Sequence, residues 1–581
     1  MLFEIREKIF AKCSCDDLKN LALTNSHHNQ VLKPHLFQAI NIGWNEMLRT
    51  NVVADIGAAY LNYTRILHFE DKKHLFKPYS NDGEEELDRK ISKNFREIVK
   101  NCSPREIVLR NFDLPDDVFE TDENLQGLKI LRMVACQGAT NNFISVAALR
   151  RLEILSIESC AVDNDGLNAI AEMSWLRQLD LQKSITSPNP QLSFLAGLKF
   201  LEKLDISYSQ VRDNEILNLH SLPLLRHLNV SSCVHLTDES FIYISNHIDS
   251  LRSLNANGCN LITNTGVYHI AKTGRLRSLN LLYDYRITIL GMKYIKTHLA
   301  KSLRCLHVAG WGGLKEKWLP QRYLGYVGCM TMLEEFTLGP SCGNTVQDFR
   351  FLTSLKCLKK LDVRFLSDVT TEGLSYLQEL PVLEELVLAQ CVNSDEALSV
   401  IAEIKTLKQL DIGKDWHEEY NVSAAGLQHL QMLPKLEELK LNRCLLDADR
   451  MFHIGKIKTL RKLWIRGESQ HGYHVAFTSG SDLDMLQGLT QLEELDISGN
   501  DQHITDQNLQ RVCRLKGLRR LNLGWCKNLT DEGFQHLKTL PCLKVLGVSG
   551  PTNKCLLTLR NVRMVRSNNF EDSVEILEIR L

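Results

Sequence analysis

Long apolar runs are missing from this 581-residue chain, and so is any excess of charge. No stretch approaches the roughly 18 apolar residues of a membrane span. The opening Met1-Leu-Phe-Glu4-Ile-Arg6-Glu7-Lys8-Ile-Phe10 is too charged for a secretory leader. The 69 Lys and Arg offset 70 Asp and Glu to a net charge of −1, which gives no bulk pull toward nucleic acid or an anionic membrane. Phosphate-binding glycine loops, the dinucleotide fingerprint, His-Glu-x-x-His and paired Cys-x-x-Cys are all absent. Cys13-Ser-Cys15 lacks further ligands at zinc spacing, and His471 and His474 read as a solvated loop pair. Asp163-Asn-Asp165-Gly166 is like the start of a calcium loop but has no distal Glu, and it falls where a helix should begin. No nucleophile–base pairing is visible, so the expectation is a protein without catalytic group, cofactor or metal.

What is present is one frame, Leu-x-x-Leu-x-Leu, repeated along nearly the whole chain, as in Leu225-Arg-His-Leu228-Asn-Val230 and Leu518-Arg-Arg-Leu521-Asn-Leu523. Its middle leucines, Leu131, Leu155, Leu179, Leu204, Leu228, Leu254 and Leu279, recur about every 25 residues, a leucine-rich-repeat period. Within a frame, apolar and polar residues alternate, so each frame is a short half-buried strand. After it come helix-start signals, at Thr237-Asp238-Glu239, Thr263-Asn264, Thr370, Ser394-Asp395, Thr505-Asp506 and Thr530-Asp531. One such unit cannot bury its own apolar face, whereas stacked units share a core.

The expected fold is therefore α/β: a leucine-rich-repeat solenoid, a horseshoe with a parallel sheet on the concave face and helices behind it. Residues 44–581 carry about twenty repeats, of which those in 44–110 are irregular. The 17 cysteines are odd in number, and Cys136, Cys160, Cys233, Cys259, Cys391, Cys444 and Cys526 all follow a strand frame, which argues for buried thiols rather than disulfides. This arrangement resembles the cysteine-containing subclass of leucine-rich repeats and implies a long, intracellular horseshoe.

Residues 1–43 lack the frame and read as short helices, with Ile5, Ile9 and Phe10 on one side and Asp16-Asp17 opening the next. Together with Asp17-Leu18-x-x-Leu21 and Val31-Leu32-Lys-Pro34-His-Leu36, this stretch resembles the F-box, although Leu2 stands where that family has proline and Arg6 where it has leucine. An F-box ahead of cysteine-type repeats resembles the F-box/leucine-rich-repeat family. That resemblance implies a non-catalytic substrate receptor of a Skp–cullin–F-box ubiquitin ligase, cytoplasmic or nuclear. Its partners would be a Skp-type adaptor, a cullin scaffold reached through it, and a protein substrate. Ile5, Ile9, Phe10, Leu18 and Leu21 are the adaptor-contacting candidates. The helical module also reads as a plain N-terminal cap, with Leu36, Phe37, Ile40 and Ile42 forming a first strand-like step, and the whole chain as a scaffold or inhibitor with no ligase link.

Outward positions of successive frames form a row: Asp205, Asn229, Asn255, Asn280, His307, Thr337, Asp362, Val387, Asp411, Lys440, Trp464, Asp496 and Asn522. Most read as solvated. Trp464 differs, because Leu463 and Ile465 should point inward and leave its indole on the open face. With Lys440, Asn442, Arg443 and Arg466 it makes a cationic, aromatic candidate site for an acidic or phosphorylated protein segment. The competing reading has the long loop after Gly467 folded over the indole. Tyr208, Tyr283, Trp311, Trp416 and Trp525 at strand ends are weaker candidates.

Overall fold

In the computed structural model, residues 39–43, 65–70, 93–110, 119, 123–136, 146–185, 187, 190–309, 325–339, 349–364, 366, 369–392, 394–414, 422–467, 480–500, 503–548 and 563–566 are described. They fall in two units, Met1–Gly313 and Leu314–Leu581. Among the described residues the first unit carries eleven strands, from Ala39–Gly43 to Cys305–Ala309, and the second ten, from Glu335–Gly339 to Arg563–Arg566. Within each unit every strand pairs in parallel with the next in sequence, which requires a crossover connection between them. These are stacked leucine-rich repeats.

The register is set by the middle leucine. Leu131, Leu155, Leu179, Leu204, Leu228, Leu254, Leu279 and Leu306 face one another strand by strand, as do Phe336, Leu361, Leu386, Leu410, Leu439, Leu463, Leu495, Leu521 and Leu546. None of these residues is more than 2 % exposed. A one-residue slip would turn each rung onto the open face, so the pattern itself forbids it.

Helices open where the Thr and Ser signals stand. Thr237, Thr263, Thr288, Thr370, Ser394, Ser423 and Thr530 each accept a main-chain amide of the first turn. Thr505 holds the same position without a capping bond. Asp163 caps Asn164–Ile170 by accepting from the Gly166 amide at 2.9 Å, so its carboxylate serves the helix start. In four described repeats the α-helix ends in a tighter 3-10 turn: Leu217–Ser221, Tyr376–Glu379, Leu430–Met432 and His536–Thr539. Each runs into Leu-Pro at 222–223, 380–381, 433–434 or 540–541, and proline drives the preceding residue out of the helical region. Leu380, Leu433 and Leu540 accordingly have ψ near 100°.

Ala39–Gly43 pairs with Ile66–Glu70, Ile40 opposite Leu67 and Ile42 opposite Phe69. Ile5, Ile9, Phe10, Leu18, Leu21, Leu36 and Phe37 lie outside the described residues, as do Cys13, Cys15, Trp311, Trp416, His471 and His474. Among the described residues no helix is long and apolar enough to cross a membrane.

Candidate functional site

Trp464 closes the three-residue strand Lys462–Trp464, and Lys440 closes Glu438–Lys440 beside it. The parallel register sets Lys440 directly opposite Trp464 and Trp464 opposite Asp496. Leu463 and Ile465 are fully buried on either side, so alternation leaves the half-buried indole on the open face, as the sequence indicated. The Lys440 ammonium lies over that ring, 5.0 Å from its centroid, where the negative π face attracts it.

Arg466 turns toward the next repeat. Its Nε donates to Asp496 Oδ2 at 2.7 Å, and its amide donates to Asn442 Oδ1 at 3.2 Å. Arg443 sits in a left-handed turn, φ 57°, its amide bonded to the Arg466 carbonyl. All five candidates therefore belong to two adjacent repeats.

The patch is not simply cationic. One position before the buried leucine lies a second outward row, Glu438, Lys462, Glu494 and Arg520, aligned in register with alternating sign. Lys462 reaches Glu438 at 3.5 Å, Arg520 reaches Glu494 at 3.4 Å, and Lys440 reaches Glu438 at 3.4 Å. Glu438, Glu494 and Asp496 are nearly buried. Burial pushes the Glu494 carboxyl above its usual range, while Arg520 and Lys462 pull it down. Lys440 and Arg466 thus each already have an acidic partner. The face offers an aromatic surface edged by polarised ion pairs, suited to a partner segment that brings both an apolar group and charge. The ruler leucine has two outward flanks, and the row expected from the sequence is only the one that follows it. The alternating Glu-Leu, Lys-Leu, Glu-Leu and Arg-Leu pairs are the signal of the other.

The Asp and Asn row is also more than solvated. Asp180, Asp205, Asn229, Asn255, Asn280, Asp411, Asp496 and Asn522 each accept, through the side chain, the amide two residues on. These local bonds end the strand and start the turn. Shortly after it the backbone turns left-handed in most of the described repeats, as at Lys183, Tyr208, Ser232, Gly258, Tyr283, Arg443, Gly499 and Trp525. Tyr208 and Tyr283 are exposed there, with the Lys183 ammonium 4.9 Å from the Tyr208 ring centroid. The glycines at 258 and 499 mark this position in the sequence, because it favours a residue without Cβ.

Residues 349–451 match the family described as Zer-1-like leucine-rich repeats, and residues 518–538 match a leucine-rich repeat. Among solved structures, an internalin of Listeria monocytogenes is similar at 18% identity, covering 69% of this chain and 89% of its own, TM-score 0.30. A chain of the yeast Rad7–Elc1 complex is similar at 18% identity, covering 69% and 87%, TM-score 0.40. A leucine-rich-repeat protein of Leptospira interrogans is similar at 13% identity, covering 79% and 91%, TM-score 0.29. On the strand register and the two family matches, the chain is a leucine-rich-repeat protein.

Proposed function

We propose that this chain is the substrate-recognition subunit of a Skp–cullin–F-box-type ubiquitin ligase, working in the cytoplasm or nucleus. In this reading it holds a protein substrate on the open face of its repeats and performs no reaction itself. The ligase link rests on the F-box-like pattern of residues 1–43, and the receptor role on the repeat face. The observation that carries substrate binding is Trp464: a large aromatic side chain kept at the surface by strand alternation, with the Lys440 ammonium over its ring. Aromatic and arginine side chains of this kind dominate binding energies at interfaces. The ligase chemistry would belong to other subunits, with the receptor raising the local concentration of substrate.

Two variants of the full chain separate the two contacts by affinity capture and mass spectrometry. Ile9→Asp with Phe10→Asp is expected to lose the Skp-type adaptor while keeping the substrate. Trp464→Ala with Arg466→Ala is expected to keep the adaptor and weaken substrate capture by at least about 30-fold, the size of a hot-spot loss. Adaptor capture that survives the first pair removes the ligase assignment and leaves a scaffold or inhibitor. Undiminished substrate capture by the second pair moves the binding site elsewhere.

A further inference from the structure

Five residues after the ruler leucine, the repeats place a buried side chain in the turn between strand and helix. At this position Cys136, Ser184, Cys233, Cys259, Cys391, Cys444, Asn500 and Cys526 share one bond. Each donates across to the preceding repeat, to the carbonyl two residues past that repeat's ruler. The acceptors are Leu109, Ile157, Ile206, Val230, Val363, Ile412, Ile465 and Ile497, at 2.5 to 3.8 Å. In most described repeats the position thus takes a small side chain with a hydrogen to give; Leu366 fills it with an apolar group, and Cys160 and Ser209 donate within their own repeat.

Asp284 occupies the same position in the repeat of Ser278–Leu281. By the register of Ser253–Asn255 with Ser278–Leu281, the carbonyl it inherits is that of Ala256. The side chain is 0 % exposed, and neither carboxyl oxygen has a hydrogen-bond partner. A carboxylate here would set two acceptors against a carbonyl acceptor with no counter-ion among the described residues, an arrangement that desolvation makes unfavourable. The titratable group facing it from the preceding repeat is the Cys259 thiol, itself buried. On its own turn Tyr283, Tyr285 and Arg286 are exposed and turned to solvent, and among the described residues no basic group shifts its titration.

We propose that Asp284 is carried as a neutral carboxylic acid whose O–H donates to the Ala256 carbonyl, making this repeat a proton-dependent rung in a ladder built mostly from fixed donors. Burial pushes the carboxyl up to about 8, and the Cys259 amide opposes this without reaching hydrogen-bond geometry. An unfolded aspartate titrates near pH 3.9. Between the two values the locally opened repeat has released its proton and the closed repeat still holds it. Stability of this repeat is therefore full below about pH 4, falls as pH rises, and levels off above about pH 8.

The chain itself supplies the control. Asn500 fills the position with an amide that donates to Ile465 at 2.8 Å, so Asp284→Asn keeps shape and donor while removing the titration. Hydrogen exchange of the full-length wild type and Asp284→Asn, compared at equal pH over peptides spanning 278–287, cancels the intrinsic pH dependence of exchange. The Asn variant is expected to gain protection over wild type by up to about tenfold per pH unit between about pH 5 and 8, with the two converging near pH 4. Asp284→Ser, which copies the donor at Ser184, is expected to show the same trend. A ratio that stays flat with pH in both variants overturns the proposal, as does loss of protection in both at every pH.

Discussion

Replacing Asp238 by alanine is expected to lower the unfolding free energy by about 2 to 4 kcal/mol, read from denaturant midpoints and from exchange in Asp238–His247 and Asn264–Lys272. The carboxylate sits in the first turn of one helix, yet it serves the next. Its oxygens accept the Thr263 amide at 2.8 Å, the Thr263 hydroxyl at 2.6 Å and the Gly266 amide at 3.0 Å. Thr263 is in turn the N-cap of Asn264–Lys272. Removing the carboxylate leaves two part-buried main-chain donors without an acceptor and frees the cap. A milder change separates the bonds from the charge. Asn264 already bridges to Thr288 as an amide, Oδ1 accepting the Thr288 amide at 3.0 Å and Nδ2 donating to its hydroxyl at 2.9 Å. Asp238→Asn is therefore expected to cost less than about 1 kcal/mol. Equal losses from Ala and Asn would mean the carboxylate's charge at the helix N-terminus dominates.

The same bridge recurs from Asp213 to Thr237, from Asp395 to Ser423 and from Asp506 to Thr530. It also explains a set of glycines. A Cβ on Gly266, Gly426 or Gly533 would meet the carboxylate of Asp238, Asp395 or Asp506 at 2.5 Å or less. The Ser or Thr followed by Asp at 237–238, 394–395, 505–506 and 530–531 was visible in the sequence as a helix-start signal. That reading located the helices correctly and missed the link between them. A single repeat cannot reveal a bond whose two ends are about 25 residues apart and which exists only once the units stack.

Periodicity made the sheet legible for a simpler reason. A leucine on the wrong face of a strand is unsatisfied whatever its neighbours do, so alternation around Leu228 or Leu521 constrains the strand by itself. The cysteine turn was legible in the same way, since a small residue recurred at one offset. The functions of Asp205, Asn280 and Asp496 were not, because a side chain bonding the amide two residues on looks, in sequence, like any solvated polar residue. For the candidate site, the placement of Trp464 followed from Leu463 and Ile465, and the pairing of Arg466 with Asp496 needed the register. Charge therefore looked unbalanced in the sequence and is balanced in the fold.

Leu463 and Trp464 adjoin in the chain and sit on opposite faces, so they give a pair of opposed results. Leu463→Ala is expected to destabilise the second unit by about 2 to 5 kcal/mol, because a fully buried rung between Leu439 and Leu495 leaves a cavity that neighbouring leucines cannot fill. Trp464→Ala removes a half-exposed ring and a contact with Lys440 worth about 0.5 to 1 kcal/mol, so its stability loss is expected to stay near 1 kcal/mol. For binding the order inverts. In folded protein Leu463→Ala keeps the open face and its affinity, whereas Trp464→Ala removes the group that a partner would cover. Denaturant midpoints and partner affinity measured on both variants decide the matter. If Trp464→Ala destabilises as strongly as Leu463→Ala, the indole belongs to the core, and the open face loses its best anchor.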